Sequence, residues 1–472
     1  MKVNNNISAV ITNNQLLRTE DSLAASMERL SSGLKINHAK DNPSGMAISN
    51  KMQAQINGLD QASRNSSDGT SVLETADGAL NEVTAMLQRM RELAVQAAND
   101  TNSQSEKEAI QVEIDKLKEE VDRISSTTEF NTKSLLNGSL DNRVYAEGVS
   151  RIQVSEEVTA GPYRFQVTAA ATQAEEPNLT LPASITNSGI VSINGYGVEL
   201  KAGMTREEVK EALRSGAEIG EAYLTDDGTT TKLNSTAYGA DAKLDIAVSD
   251  AALAAELGLS TEASYVGTDA QISLERVPAT GEIKSMFNTT ATYELKGNKL
   301  TVTDVKGFEM SLMLEEGFDM NNDKYHTEAA DKGWVSMNVT DMGPMVLQIG
   351  ANEGQQMSVK IPACDTKSLY IDAVDVTTVL GAQRAISQCD DAIASVNKVR
   401  SSLGAYTNRL ESATKSLDET SENMNSAISR ISDVDMAIEM TEYTRLNVLT
   451  QAATSALSQA NELPQMALQL LG

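Results

Sequence analysis

With 472 residues, 4% aromatics and one Trp, the chain is too long and too poor in large rings for one ordinary hydrophobic core, so several domains are expected. Its formal charge of −27 divides into −5 for 1–140, −16 for 141–364 and −6 for 365–472. The middle is therefore the solvated part, and no basic stripe remains for nucleic acid. No apolar run approaches the roughly 18 residues of a membrane span, and the start MKVNNNISAVITNN lacks a signal peptide's apolar core.

The first arm reads as three helices. Ile7 to about Leu34 is the first, closed by Ser31-Ser32-Gly33, and Asp41-Asn42-Pro43-Ser44 starts a second that runs to about Asn99. Leu73, Ala76, Leu80, Val83, Leu87, Met90, Ala94 and Ala97 form an unbroken heptad seam along it. Small residues continue the seam upstream (Ala62, Ser66, Gly69), and Gly58, Gly69 and Gly78 each cost an isolated helix about 1 kcal/mol. A third helix opens at Ser105, with Glu108 completing a capping box, and carries the stripe Ile110, Ile114, Leu117, Val121 and Ile124. Asn137-Gly138 then marks a turn.

From about 141 to 362 the periodicity shortens. Tyr163–Val167, Ile190–Ile193, Leu295–Val302 and Met345–Ile349 are short apolar or alternating runs bounded by turn formers, which predicts strands. A helix over Thr205–Leu213 interrupts them behind another capping box, giving a compact β-β-α-β-β unit at about 190–260.

The second arm begins near Asp375. Its seam runs through Val379, Ala382, Ile386, Cys389, Ile393, Val396, Leu403, Leu410, Leu417, Met424, Ile428 and Ile431, with Arg400, Thr407, Thr414 and Ser421 as polar interruptions. Ser432-Asp433-Val434-Asp435 marks a joint, and Met436 to about Leu471 is a last amphipathic helix containing Pro464. Residues 1–35 carry four basic and three acidic groups and 443–472 carry Arg445 and Glu462 alone, so both ends suit burial against partners better than water. Cys389 on the seam reads as a small buried hydrophobe, with a disulfide to Cys364 or a reactive thiol as the alternatives.

Chemistry is sparse. The two histidines, His38 and His326, are far apart in sequence, there is no HExxH, no phosphate-binding loop and no dinucleotide fingerprint. No catalytic residue, cofactor or metal is expected, and the chain does not read as an enzyme.

Several long stretches resemble bacterial flagellin. They are Met27-Glu-Arg-Leu-Ser-Ser-Gly-Leu-Lys-Ile-Asn37, Leu87-Gln-Arg-Met-Arg-Glu-Leu-Ala-Val-Gln-Ala-Ala-Asn99 and Phe130–Ser139, then Leu403-Gly-Ala405, Asn408-Arg-Leu410, Ser429-Arg-Ile431, Gln459-Ala-Asn461 and Leu470-Leu471-Gly472. Ile193-Asn-Gly195, Gly203-Met-Thr205 and Ser235-Thr-Ala-Tyr-Gly239 are similar to a small insertion module of some flagellins and hook-associated proteins. Gln348-Ile-Gly-Ala-Asn-Glu-Gly354 resembles the family's shaft hairpin, which commonly follows the N-terminal helices directly; here about 210 residues intervene after Gly138.

The resemblance implies an α+β multidomain fold in which long antiparallel coiled-coil helices from both chain ends form a shaft carrying an inserted β-rich outer body. The expected domains are 1–43 plus 433–472 (inner tube), 44–165 plus 340–432 (helical-bundle shaft with β-hairpin) and 166–339 (variable outer body). It further implies a secreted, extracellular subunit that polymerises with itself into the bacterial flagellar filament for motility. Its partners would be an export chaperone of the flagellar type III route, the filament cap protein and hook-associated junction proteins. A hook–filament junction protein and a secreted adhesin or immune ligand are the alternatives. Arg89, Leu93 and Gln96 fall at i, i+4 and i+7 on a helix face off the seam, with Leu93 expected to be exposed. Gln88, Arg89 and Leu93 match flagellin residues that engage the vertebrate Toll-like receptor for flagellin, and Glu113 matches a neighbouring contact.

Overall fold

The computed structural model describes residues 6–99, 101–155, 157–226, 231–275, 285–315, 318 and 333–469. His326 and Leu470-Leu471-Gly472 lie outside the described residues. The chain forms two compact units: 1–70 with 347–357 and 408–472, and 71–346 with 358–407.

Helices α1 (Ile7–Ser32), α2 (Pro43–Ala97) and α3 (Gln104–Thr127) come first. Asn6 caps α1 by accepting from the Ala9 N–H (3.1 Å), and Gly33 ends it at φ +71°, a conformation that favours glycine. Pro43 takes the first turn of α2, where its missing N–H costs nothing. The capping box of α3 is Ser103 with Glu106 rather than Ser105 with Glu108. Both pairs fit the pattern, but Asn102 ties the turn back to the Gln96 carbonyl (2.6 Å), so the helix restarts at once. All eight heptad positions from Leu73 to Ala97 are buried, at 1% exposure or less. Val72, Thr84 and Leu93 widen the buried stripe beyond the seam. Leu93 is thus a core residue, not an exposed one.

A tight hairpin of β1 (Glu129–Phe130) and β2 (Lys133–Ser134) turns through Asn131 and Thr132, both at positive φ. The β-body then opens with β3 (Val144–Ala146), β4 (Val149–Val154) and β5 (Gly161–Ala169). An inserted module follows: β6 (Gln173–Leu179), β7 (Gly189–Ile193), β8 (Tyr196–Leu200), α4 (Arg206–Ile219), β9 (Ala222–Asp226), β10 (Thr231–Tyr238), β11 (Lys243–Val248), α5 (Ala251–Leu257) and β12 (Glu262–Val266). The chain returns to the body through β13 (Gln271–Leu274), β14 (Thr292–Lys296), β15 (Lys299–Thr303), β16 (Glu309–Leu314) and β17 (Trp334–Val339). The run Leu295–Val302 holds a hairpin turning at Gly297 (φ +60°).

The body is a pair of four-stranded antiparallel sheets, β13-β5-β17-β3 and β14-β15-β16-β4. They enclose one core that includes Tyr163, Phe165, Phe287, Leu300, Met310 and Val335. Because β3 and β4 pair with β17 and β16, the body begins near 144 and not at 166. The module is also larger than 190–260. Its sheets, β6-β10-β9 and β12-β11-β7-β8, share a separate core with α4 and α5. β6 carries no strand signal in its sequence, because QAEEPNL is polar and holds Pro177, which an edge strand tolerates.

Module and body meet where three backbones crowd together. Thr172 and Thr268 bridge the two connecting strands, and Asp269 Oδ1 accepts the N–H groups of Ala240 (2.9 Å) and Gly297 (2.8 Å). A Cβ on Gly239, which stands at φ +97°, would lie 2.4 Å from Gly297 Cα.

The hairpin β18 (Met345–Gln348) and β19 (Gln356–Val359) precedes α6 (Val379–Ser432) and α7 (Met436–Gln469). The hairpin accounts for two helix glycines: a Cβ on Gly69 would sit 2.6 Å from the Leu347 side chain of β18, and one on Gly58 would sit 3.0 Å from Ala351 in the loop. Nothing crowds Gly78. Helices α2 and α6 run antiparallel, with Asp77 beside Arg400 (2.8 Å) and Arg91 beside Asp390 (2.6 Å). Along α6 five of the expected seam residues are buried, Ala382, Cys389, Val396, Leu403 and Leu410. The alternate positions are displaced by one: Ala385, Ala392 and Tyr406 are buried, whereas Ile386, Ile393, Arg400 and Thr407 are half-buried. Both i+3 and i+4 lie near a helical seam, and small Ala side chains occupy the inner choice at the first two sites. Leu417, Met424, Ile428 and Ile431 are half-buried.

Gly239→Ala should combine backbone strain with a backbone clash. It is expected to destabilise the β-rich part by about 2 kcal/mol or more in urea denaturation.

Candidate functional site

Sequence reasoning points to two surfaces, the terminal helices and the α2 face around Arg89. Helices α1 and α7 lie antiparallel: Asn6 Nδ2 donates to the Ala460 carbonyl (2.8 Å) at one end, and Arg29 pairs with the buried Glu439 (3.6 Å) at the other. Gly33 and Leu34 then bridge to Asp433 and Val434, which closes the joint between α6 and α7.

The side chains fully buried on these two helices are few, Thr19 and Ser26 from α1 with Glu439, Leu446 and Ala460 from α7, while Leu16, Leu23 and Leu30 of α1 are half-buried. Many other large apolar ones face outward. Ile7, Val10, Ile11, Leu17 and Met27 on α1, and Met436, Ile438, Met440, Val448 and Leu449 on α7, are all exposed, Ile11 at 63% and Ile438 at 69%. So many exposed Ile, Val, Leu and Met side chains leave apolar faces suited to a partner.

At the second surface, the Arg89 guanidinium donates twice to Glu113 Oε1 (3.1 and 2.8 Å) and once to Glu92 Oε2 (3.3 Å). Gln88, Arg89, Gln96 and Glu113 are exposed together with Glu92. Leu93, at 1% exposure, lies beneath them. Glu92 was legible in the sequence as the i+3 acid to Arg89.

Residues 3–141 match the bacterial flagellin N-terminal helical region and 386–471 the C-terminal helical region. Flagellin B of Vibrio anguillarum is 33% identical over 472 residues, 100% of both chains. The chain belongs to the bacterial flagellins. A flagellin of Clostridium tyrobutyricum is 33% identical over 469 residues (98% of this chain, 100% of that one), and one of Salmonella muenchen 32% over 525 residues (99% of each). Among solved structures, FliC from Burkholderia pseudomallei aligns with a TM-score of 0.24 and 18% identity over 72% of this chain and 99% of that one, too loose a superposition to carry an argument.

As a flagellin, the chain is a structural component of the flagellar filament, and its titratable groups are set by packing. Both cysteines are free thiols: burial pushes Cys364 up to about 12 and Cys389 to about 11, so neither is a thiolate at neutral pH. Among the described residues no group of His, Cys, Asp and Glu is placed to hold a metal ion, and no helix is long and apolar enough to cross a membrane. Burial raises the Asp141 carboxyl to about 6, against an N–H from Asn142 and the attraction of Lys360. The native state therefore holds this proton more tightly than the unfolded chain, and stability falls as pH rises from about 4 through about 6. Asp141→Asn is expected to abolish that slope and to stabilise this flagellin above it by about 1–3 kcal/mol, read from urea denaturation at about pH 4.5 and 7.5.

Proposed function

We propose that this flagellin polymerises head-to-tail into the helical filament, with its terminal helices as the principal lattice contacts. One observation carries the reading: α1 and α7 leave a set of large apolar side chains exposed, Ile7, Val10, Ile11, Ile438 and Val448 among them. A second copy of the chain is a matching occupant, since each copy brings the same apolar faces, and contacts that do not close into a ring generate an open helix. On this reading 1–43 with 433–472 form the innermost layer and 44–143 with 340–432 the next, because β3 and β4 belong to the body. The body from about 144 to 339 faces solvent, within a stretch of net −16 that discourages unwanted association. Secretion through the flagellar type III route, an export chaperone, addition beneath a cap protein and contact with junction proteins are further parts of the proposal and rest on family membership. A filament subunit differs from a junction protein in adding repeatedly to its own ends.

Ile11→Asp with Ile438→Asp places charge on faces that are exposed in the single chain, so its denaturation midpoint should stay within about 0.5 kcal/mol of the parent. Elongation of filament seeds, followed by light scattering, should fall more than about tenfold, because burying each carboxylate costs several kcal/mol. Parental elongation by this variant would remove the terminal faces as lattice contacts.

The Arg89 surface favours a second role as a ligand of the vertebrate Toll-like receptor. The guanidinium is held in place by Glu113 and Glu92, so little ordering entropy is lost on binding. Gln88, Gln96 and Glu113 would flank it, with Leu93 supporting the surface from beneath. Arg89→Ala is expected to weaken binding of the monomer to the receptor ectodomain by about 1–3 kcal/mol in calorimetry. Unchanged affinity for Arg89→Ala combined with Gln88→Ala would count against this surface; Leu93→Ala is a poor probe because it empties a core position.

A further inference from the structure

The body sits on the helical part of its unit through polar contacts. The outer face of the β14-β15-β16-β4 sheet meets residues 362–378, the irregular segment before α6. Arg151 forms a bidentate pair with Asp372 (2.8 and 2.7 Å), and Gln153 donates to the Ser368 carbonyl (2.9 Å). Tyr370 donates its hydroxyl to the Arg151 carbonyl (2.8 Å), while Lys299 Nζ stands 4.2 Å from the centre of the Tyr370 ring. Lys398 of α6 pairs with Glu309 of β16. Behind these contacts lies a cavity of about 120 Å³ whose lining includes Gln153 and Ser311 of the body, Cys364 of the segment, and Ser402 and Tyr406 of α6.

Two further features mark this joint. Arg151 (φ +53°) and Tyr370 (φ +58°) both adopt a backbone conformation that side chains of their size rarely take. Arg151 falls where the β4–β16 register shifts, since Ser311 faces Gln153 while Met313 faces Ser150. A bulge of this kind re-aims a side chain, here toward Asp372. The segment itself is fixed from the other side. Thr366 is held by Asp122, the Asp372 and Val374 carbonyls by Lys118 and Gln111, and Ile371 and Val376 are fully buried. The core of the body, by contrast, is complete without this face.

From this asymmetry we infer that Arg151, Lys299, Tyr370 and Asp372 form a strained polar latch that opens and recloses while the body core and the α3-bound segment stay folded. Opening detaches the sheet face as a unit and exposes the buried Cys364 wall of the partly open cavity. Polar interfaces between folded parts of one chain are where relative motion is expected, and strained residues held by mutual contacts are its usual markers. The latch gives the body a second orientation without unfolding.

Cys364 reports the opening, because its thiol lines the cavity, whereas Cys389 is buried on α6 outside it and serves as the internal control. The experiment is alkylation of the full chain with iodoacetamide, each cysteine being followed by peptide mass spectrometry. Asp372→Asn and, separately, Tyr370→Leu are expected to speed Cys364 labelling about tenfold and leave Cys389 unchanged. In the unaltered chain, raising NaCl from about 0.05 to about 1 M should speed Cys364 alone, through screening of the ion pairs. Cys364 rates unmoved by both substitutions and by salt, or rising in step with Cys389, would overturn the latch.

Discussion

The pairing of the two helical arms rests on the burial of the α2 seam, eight consecutive heptad positions from Leu73 to Ala97 at 1% exposure or less. Ala76, Ala94 and Ala97 permit close approach, while Leu73, Leu80, Leu87 and Met90 supply apolar area at about 25 cal/mol per Å² removed from water. The flanking pairs Arg91–Asp390 and Arg400–Asp77 are partly exposed, so they fix register more than they add stability. The antiparallel register they report brings sequence-distant arms side by side, and the body is an insertion between those arms.

The two attachments inside the β-rich part use opposite physics. Module and body share backbone contacts around Gly239, Gly267 and Gln271's neighbour Ala270, where Asp269 spends one oxygen on two N–H groups. Such a joint has little room for side chains and correspondingly little freedom. The body's seat on residues 362–378 is made of guanidinium, ammonium, ring and carboxylate groups around a cavity. Polar contacts can be exchanged for water at modest cost, so the two joints differ in how readily they open.

The terminal helices show the surface chemistry of a structural protein. Exposed Ile, Val and Met on α1 and α7 are unfavourable in water and useful in an assembly. The acidic middle pulls the other way, keeping chains soluble and apart. A chain with apolar ends and a charged centre is polarised for burial at one place and solvation at another.

The α2 seam, the cap at Gly33, the box at Thr205 and Glu208 and the Asn137-Gly138 turn were legible because each depends on residues within a few positions of one another. So was the family, whose motifs are contiguous stretches. What tertiary structure decided involves choices between near-equivalent local options or partners far apart in sequence. Ala385 rather than Ile386 faces inward because both lie near the seam and packing selects between them. Leu93 is buried because the interior stripe of α2 is wider than two positions per heptad. The pairings of β3 with β17 and of β4 with β16, and hence the body's true beginning near Val144, join residues roughly 155 to 195 apart whose alternation fits many partners equally well. Local chemistry determines which helix or turn forms; the strand partner and the inward side chain are settled by the single arrangement that fills the core.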